Sequence, residues 1–135
     1  MMPQGFLDTN VLVYAFAIDD RTPKAEILLG SGCVTGVQAL NEFANVARRK
    51  LGMEWDEVGE ALRSIRALCH AVVPLDLDVH AEGLEIARRY RLAVFDALMV
   101  AAALRSGCNT LWSEDMHDGL IVDSRLRIAN PFAAT

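Results

Sequence analysis

Short apolar runs and longer amphipathic stretches alternate along the chain. Gly5-Phe6-Leu7 is an apolar run that stops at Asp8, the pattern of a buried strand. Thr9-Asn10 then opens a helical stretch, Val11 to Ala17, and Asp19-Asp20-Arg21 reads as a turn. Thr22-Pro23 starts a helix with Pro at its first position, and the pattern runs to Leu29 and stops at Gly30. Cys33-Val34-Thr35 predicts a second strand. Val37 to Lys50 predicts an amphipathic helix, with Val37, Leu40, Phe43, Ala44 and Ala47 at helical spacing. Trp55 to Leu68 is a further helix, Ala71-Val72-Val73 a third strand closed by Pro74, and Asp78 to Tyr90 a helix again. Phe95 to Leu104 is almost wholly apolar and stops at Gly107, which predicts a helix buried on most sides. Thr110-Leu111-Trp112 predicts a fourth strand, Ser113 to Gly119 a polar loop, and Leu126 to Ile128 a last strand. Strands separated by helices predict βαβ units and a parallel sheet, hence the α/β class. Without a repeat or linker, residues 1–135 read as one domain.

Composition narrows the class. The chain is 53% hydrophobic and 23% charged, too apolar for a disordered segment. It has 13 Lys and Arg against 18 Asp and Glu, a net charge of −5. That balance disfavours broad attraction to a polyanion or an anionic membrane. Cys33, Cys69 and Cys108 lie in apolar stretches without C-x-x-C spacing, so they read as reduced structural thiols of a cytoplasmic protein. The longest apolar stretch, Leu92 to Leu104, is shorter than the ~20 residues a bilayer needs and contains Asp96, so no membrane span is expected.

Four acids change the picture. Asp8 follows the first strand, and ligands of open α/β sheets bind beyond the carboxyl ends of strands. Asp115 follows the fourth strand and reaches the same edge. Asp96 opens the most apolar helix, and Glu42 sits on the border of an apolar helical arc. Each has an ordinary reading as well. Asp8 suits a turn, Asp96 a helix cap, Glu42 a solvated border and Asp115 an acidic loop shared with Glu114 and Asp118. Taken together they converge on one sheet edge. Converging carboxylates repel and raise one another's pKa, and a hard divalent cation relieves this. Such a centre suits hydrolysis of phosphodiesters.

The residues also resemble a known family. Phe6-Leu7-Asp8-Thr9-Asn10-Val11-Leu12 resembles the opening of PIN-domain ribonucleases, as in VapC-type toxins of toxin–antitoxin pairs. Gln38-Ala39-Leu40-Asn41-Glu42-Phe43, Phe95-Asp96-Ala97-Leu98-Met99-Val100-Ala101-Ala102-Ala103 and Ser113-Glu114-Asp115-Met116 resemble the later motifs, and Asn130-Pro131-Phe132 the close. The likeness runs from Phe6 to Phe132, and four motifs in order are specific where one is weak. Phe95 departs from it where a Tyr is common, and His117 where a polar amide is common. The resemblance implies a three-layer α/β/α sandwich around a short parallel sheet. It implies a site of Asp8, Glu42, Asp96 and Asp115 holding one or two Mg²⁺ or Mn²⁺ ions, with RNA as substrate and an antitoxin as partner.

On that reading Asp8, Asp96 and Asp115 are direct or water-bridged ligands. Glu42 is a ligand to a second ion or the general base. Thr9 and Ser113 orient carboxylates or touch a phosphate, or serve as turn and cap residues. Asn10 holds Asp8 or a metal-bound water, and Asp118 supports the cluster or is a solvated loop acid. Arg48, Arg49 and His117 are candidate substrate contacts. Arg48-Arg49-Lys50 also suits favourable charge at a helix C-terminus, and His117 an ordinary surface position. Trp55 and Trp112 read as core or interface residues rather than base-stacking platforms. The apolar first helix, Val11 to Phe16, suggests a homodimer interface, or simply core. Two other classes compete. One is a catalytically silent binding module on the same fold. The other is a phosphatase with Asp8 as nucleophile, disfavoured because Asn10 stands where a second Asp would be expected.

Overall fold

A computed structural model describes residues 5–133. The elements are β1 (Gly5–Leu7), α1 (Thr9–Ala15), α2 (Thr22–Leu29), β2 (Val34–Gly36), α3 (Val37–Arg49), α4 (Trp55–Leu68), β3 (Ala71–Val73), α5 (Leu77–Tyr90), α6 (Val94–Arg105), β4 (Thr110–Trp112), β5 (Ile121–Val122) and β6 (Leu126–Ala129). The sheet order is β3-β2-β1-β4-β6-β5. All pairs are parallel except β5 with β6.

This order fixes the layers. The chain moves outward from β1 to β2 to β3, then crosses back to β4 on the far side of β1. Crossovers are right-handed, so opposite directions of travel put their helices on opposite faces. Helices α1 to α4 cover one face and α5 and α6 the other, giving the three-layer α/β/α sandwich expected. The reversal also makes the gap between β1 and β4 a topological switch point, where doubly wound sheets bind ligands.

The centre is strongly apolar. Phe6, Leu7, Leu111 and Ile128 of the middle strands are fully buried. So is most of α6: all eight residues from Ala97 to Leu104 are buried. The all-round apolar pattern of this segment thus has its physical cause in burial between the sheet and α5. The two helices approach closely at Gly83, where an added Cβ would sit 2.7 Å from Leu98 Cδ2 and 3.3 Å from Leu98 Cα. Gly83→Ala should therefore cost about 2 kcal/mol, the usual range for overpacking, seen as a lower urea midpoint at unchanged slope.

The last strand is where the sequence places it, at Leu126–Ala129, and two features go beyond the sequence pattern. The last strand does not stand alone. It forms an antiparallel hairpin with β5, which the sequence pattern does not show because a two-residue strand has no periodicity. Three residues, Asp123 to Arg125, join the strands: Asp123 and Ser124 are left-handed, with φ of 51° and 57°, and the Arg125 N–H closes the turn on the Val122 carbonyl at 3.0 Å. Arg89 and the Tyr90 hydroxyl hold the Asp123 carboxylate at 3.0 and 3.1 Å. Of the two readings of Trp55, core or interface, exposure excludes the core: it is 67% exposed, with the Arg48 guanidinium 4.8 Å from its ring centre. Trp112 packs against the core, and Gly5 makes room for its indole. The apolar residues of α1 turn inward, Val11 and Leu12 fully and Val13, Tyr14, Ala15 and Phe16 partly, so this helix spends its apolar surface within the chain. Among the described residues no helix is long and apolar enough to cross a membrane.

Candidate active site

Strand β1 carries Asp8 to the switch point. Leu7 is in register with Trp112 of β4, and the Asp8 N–H donates to the Trp112 carbonyl at 3.0 Å. This register sets the Ser113–Asp115 turn beside Asp8. Asp8 also begins α1 as its N-cap, accepting from the Thr9 N–H at 2.7 Å. Its other oxygen accepts from Ser113 Oγ at 2.7 Å and Asn10 Nδ2 at 3.2 Å. The residue is only 5% exposed. Burial pushes its carboxyl from the ordinary 3.8 up to about 6. The bonds from Ser113 and Thr9 pull it down, and the charges of Asp96 and Glu42 push it up.

Asn10 clamps the turn to the helix. Its Nδ2 also donates to Asp115 Oδ2 at 3.3 Å, and its Oδ1 accepts from the Glu114 N–H at 3.1 Å. Ser113, fully buried, accepts from the N–H groups of Asp115 and Met116, both at 3.3 Å. Glu42 comes from the second turn of α3. Its oxygens accept from Thr9 Oγ1 at 3.1 Å and Gln38 Nε2 at 2.9 Å. Asp96 lies in the first turn of α6, but the N-cap is Ala93 and no side chain caps the helix. Capping therefore does not account for Asp96. Burial raises its pKa, and Glu42 and Asp115 raise it further.

The four acids line one cleft of about 450 Å³ with Thr9, Asn10, Val13, Tyr14, Val46, Lys50 and Glu114. Ser113 stands behind Asp8 rather than in the cleft. Asp118 accepts from the Asn130 N–H at 2.9 Å and so ties down the loop. His117 and Arg49 are exposed and outside the cleft lining. Arg48 is bonded to the Met53 carbonyl at 2.9 Å and stacked on Trp55. The sequence pattern gives no site role to Gln38, Tyr14 or Glu114, and marks Lys50 only as the end of the basic run Arg48-Arg49-Lys50. Gln38 and Lys50 had a readable signal, since they stand four before and eight after Glu42 on one helical face. Tyr14 and Glu114 had none. They meet only through the fold, the Tyr14 hydroxyl donating to Glu114 Oε1 at 2.6 Å and Arg21 Nε to Oε2 at 2.7 Å.

None of the ion pairs among the described residues uses Asp8, Glu42, Asp96 or Asp115. Their charges face one another across open space, and hard oxygen donors of this kind suit Mg²⁺ or Mn²⁺. Among the described residues, no three acidic, His or Cys side chains are gathered tightly enough to hold an ion in common. The donor set fits an ion that keeps most of its water and meets the protein through one or two carboxylates, which is the habit of Mg²⁺.

Comparison with known proteins gives the class. Residues 5–117 match the model of the PIN domain, and the chain belongs to that family. Among solved structures it is similar to Mycobacterium tuberculosis VapC20, described as a sarcin-ricin-loop-cleaving toxin, with TM-score 0.67 and 21% identity over 83% of this chain and 92% of that one. It is also similar to a toxin–antitoxin complex from Klebsiella pneumoniae, with TM-score 0.69 and 16% identity over 97% of this chain and 100% of that one. A third is VapBC2 from Rickettsia felis bound to a promoter DNA fragment, with TM-score 0.62 and 15% identity over 93% and 97%. Among curated proteins, none matches the chain by sequence.

Proposed function

We propose that the chain is a divalent-metal-dependent endoribonuclease, the toxin of a toxin–antitoxin pair acting in the cytoplasm. The observation that carries this reading is four carboxylates lining one cleft at the switch point of a PIN-domain sheet, none of them in an ion pair among the described residues. The toxin and antitoxin roles are drawn from the proteins of similar fold, and a homodimer belongs to the same proposal. Apolar surface for such contacts lies at Val94 and Phe95, 47% and 63% exposed, rather than on α1.

Asp8, Asp96 and Asp115 would hold the ion, one or two of them directly and the rest through its water shell, with Glu42 as a ligand to a second ion or as the general base. A bound divalent ion supplies Lewis acidity and makes water acidic enough to attack at neutral pH. The chain's own part is to aim the carboxylates and to offset part of the burial of Asp8. Ser113 and Thr9 lower the Asp8 pKa against burial, and Asn10 aims both Asp8 and Asp115. Thr9 and Gln38 fix both oxygens of Glu42 and leave lone pairs free towards the cleft. The test is cleavage of RNA by purified protein in Mg²⁺ or Mn²⁺, expected to stop in chelator and to return with the metal. Cleavage that persists in excess chelator overturns the metal assignment. No cleavage of any RNA in either metal overturns the nuclease reading.

A further inference from the structure

The cleft is lined by five acidic side chains and one cation, Lys50. That imbalance leaves a polyanionic substrate with one place to rest a phosphate inside it. Lys50 follows the last turn of α3 as its C-cap. Glu42, Val46 and Lys50 are four residues apart, so they share a face, and eight residues of helix span about 12 Å. Lys50 is exposed, and none of the ion pairs among the described residues uses it. Its two neighbours behave differently: Arg48 is tied to its own loop and Arg49 lies outside the lining. Between the acids and Lys50 the wall is apolar, Val13 from α1 and Val46 from α3.

From this arrangement we infer that Lys50 is a phosphate-positioning residue, and that the RNA strand leaves the acids along the α1–α3 groove towards it. The inference rests on the nuclease reading and deepens it. Two helical turns separate Lys50 from Glu42, so the phosphate it meets is a neighbour of the one being cleaved. Val13 and Val46 then face the sugar or base between the two. Lys50 thus sets how the strand lies and touches no reacting atom. Cleavage should accordingly depend on Lys50 through KM, and only for substrates that extend into this groove.

The test compares wild type, Lys50→Ala and Lys50→Arg on a long unstructured RNA oligonucleotide in Mg²⁺. The exposed Arg66→Ala of α4 is the charge-matched control. Lys50→Ala should raise KM about 5-fold with kcat nearly unchanged, and lower the slope of log affinity against log salt by about 1. Lys50→Arg should restore both, and Arg66→Ala should change neither. An unchanged KM and salt slope in Lys50→Ala, or a loss equal to that of Arg66→Ala, overturns the inference while leaving the nuclease reading intact. A fall in kcat at constant KM also overturns it, since Lys50 would then act on the reacting atoms. Fluorescence anisotropy with the same RNA reads the Lys50 contact without turnover. If wild-type protein binds but never cleaves, the nuclease reading fails by itself.

Discussion

Asp8→Asn is expected to lower metal-dependent RNA cleavage at least ~10³-fold, about 4 kcal/mol of lost transition-state stabilisation, while the protein still folds. The two halves of this expectation come from the same side chain. Asparagine caps a helix as well as aspartate does, so α1 keeps its start. The remaining carbonyl oxygen can keep the bond from the Thr9 N–H, while the buried Ser113 hydroxyl loses its acceptor, a local cost of about 1–3 kcal/mol. Asn10 loses one acceptor but keeps Asp115 Oδ2. What goes is the charge, and nothing in the fold uses it: no cation pairs with Asp8, and burial works against it. Far-UV circular dichroism and a melt in chelator check the fold, and gel-based cleavage in Mn²⁺ checks activity. Wild-type cleavage by a well-folded Asp8→Asn protein would remove Asp8 from the site.

The second large effect is on stability. Asp8 moves from 3.8 in the unfolded chain to about 6 in the fold, so between these values the folded state holds the extra proton. Stability of the metal-free protein then falls as pH rises through this window. The difference, 6 − 3.8, is about 2.2 pH units, and at 1.36 kcal/mol per unit it gives about 3 kcal/mol. Asp8 is nearly fully buried, so solvent screening takes little from this figure. Asp96, also raised, adds in the same direction. Asp19, Glu85 and Asp123 are lowered by Arg partners or backbone donors and act in the opposite sense. The clean quantity is therefore wild type minus Asp8→Asn. In chelator, urea unfolding from pH 4 to pH 7 should show wild type losing ground to the variant as pH rises, then a plateau. Mg²⁺, which binds only the ionised carboxylates, should recover more stability at pH 7 than at pH 5. A difference that stays flat or changes sign would mean that Asp8 is not an uncompensated buried charge.

Much of the fold is legible in the sequence because helices and short strands leave local marks. The Pro23 start, the Gly30 and Gly107 stops and the apolar Ala97–Leu104 run are all read within a few residues. The β5–β6 hairpin leaves none, since its two-residue strand has no period and its turn uses Asp123 and Ser124 in place of glycine. Trp55 misleads for a related reason. A large apolar side chain usually goes inside, but this one begins a helix on the outer surface, where Arg48 covers its face. The acids can be picked out as candidates, but their meeting depends on β1 lying beside β4, a pairing more than 100 residues apart in sequence. The same holds for Tyr14, Arg21 and Glu114, which no local pattern connects. Sequence position alone also suits Asp96 to a cap, but the helix starts at Val94 with Ala93 before it, and no side chain caps it.

The switch point also sets a schedule. Three of the four acids lie at or before position 96, whereas Asp115 and the Ser113 hydroxyl that steadies Asp8 arrive with β4. Strand β4 cannot pair with β1 until the whole β3-to-β4 crossover has been made and docked. A chain emerging from the ribosome, or one cut short before Thr110, is thus missing the part that draws the cluster together. Pairings of such long sequence separation carry a large loop-closure cost and are slow to form. The cluster is therefore assembled only once the segment from Thr110 to Asp115 has been made and β4 has paired with β1.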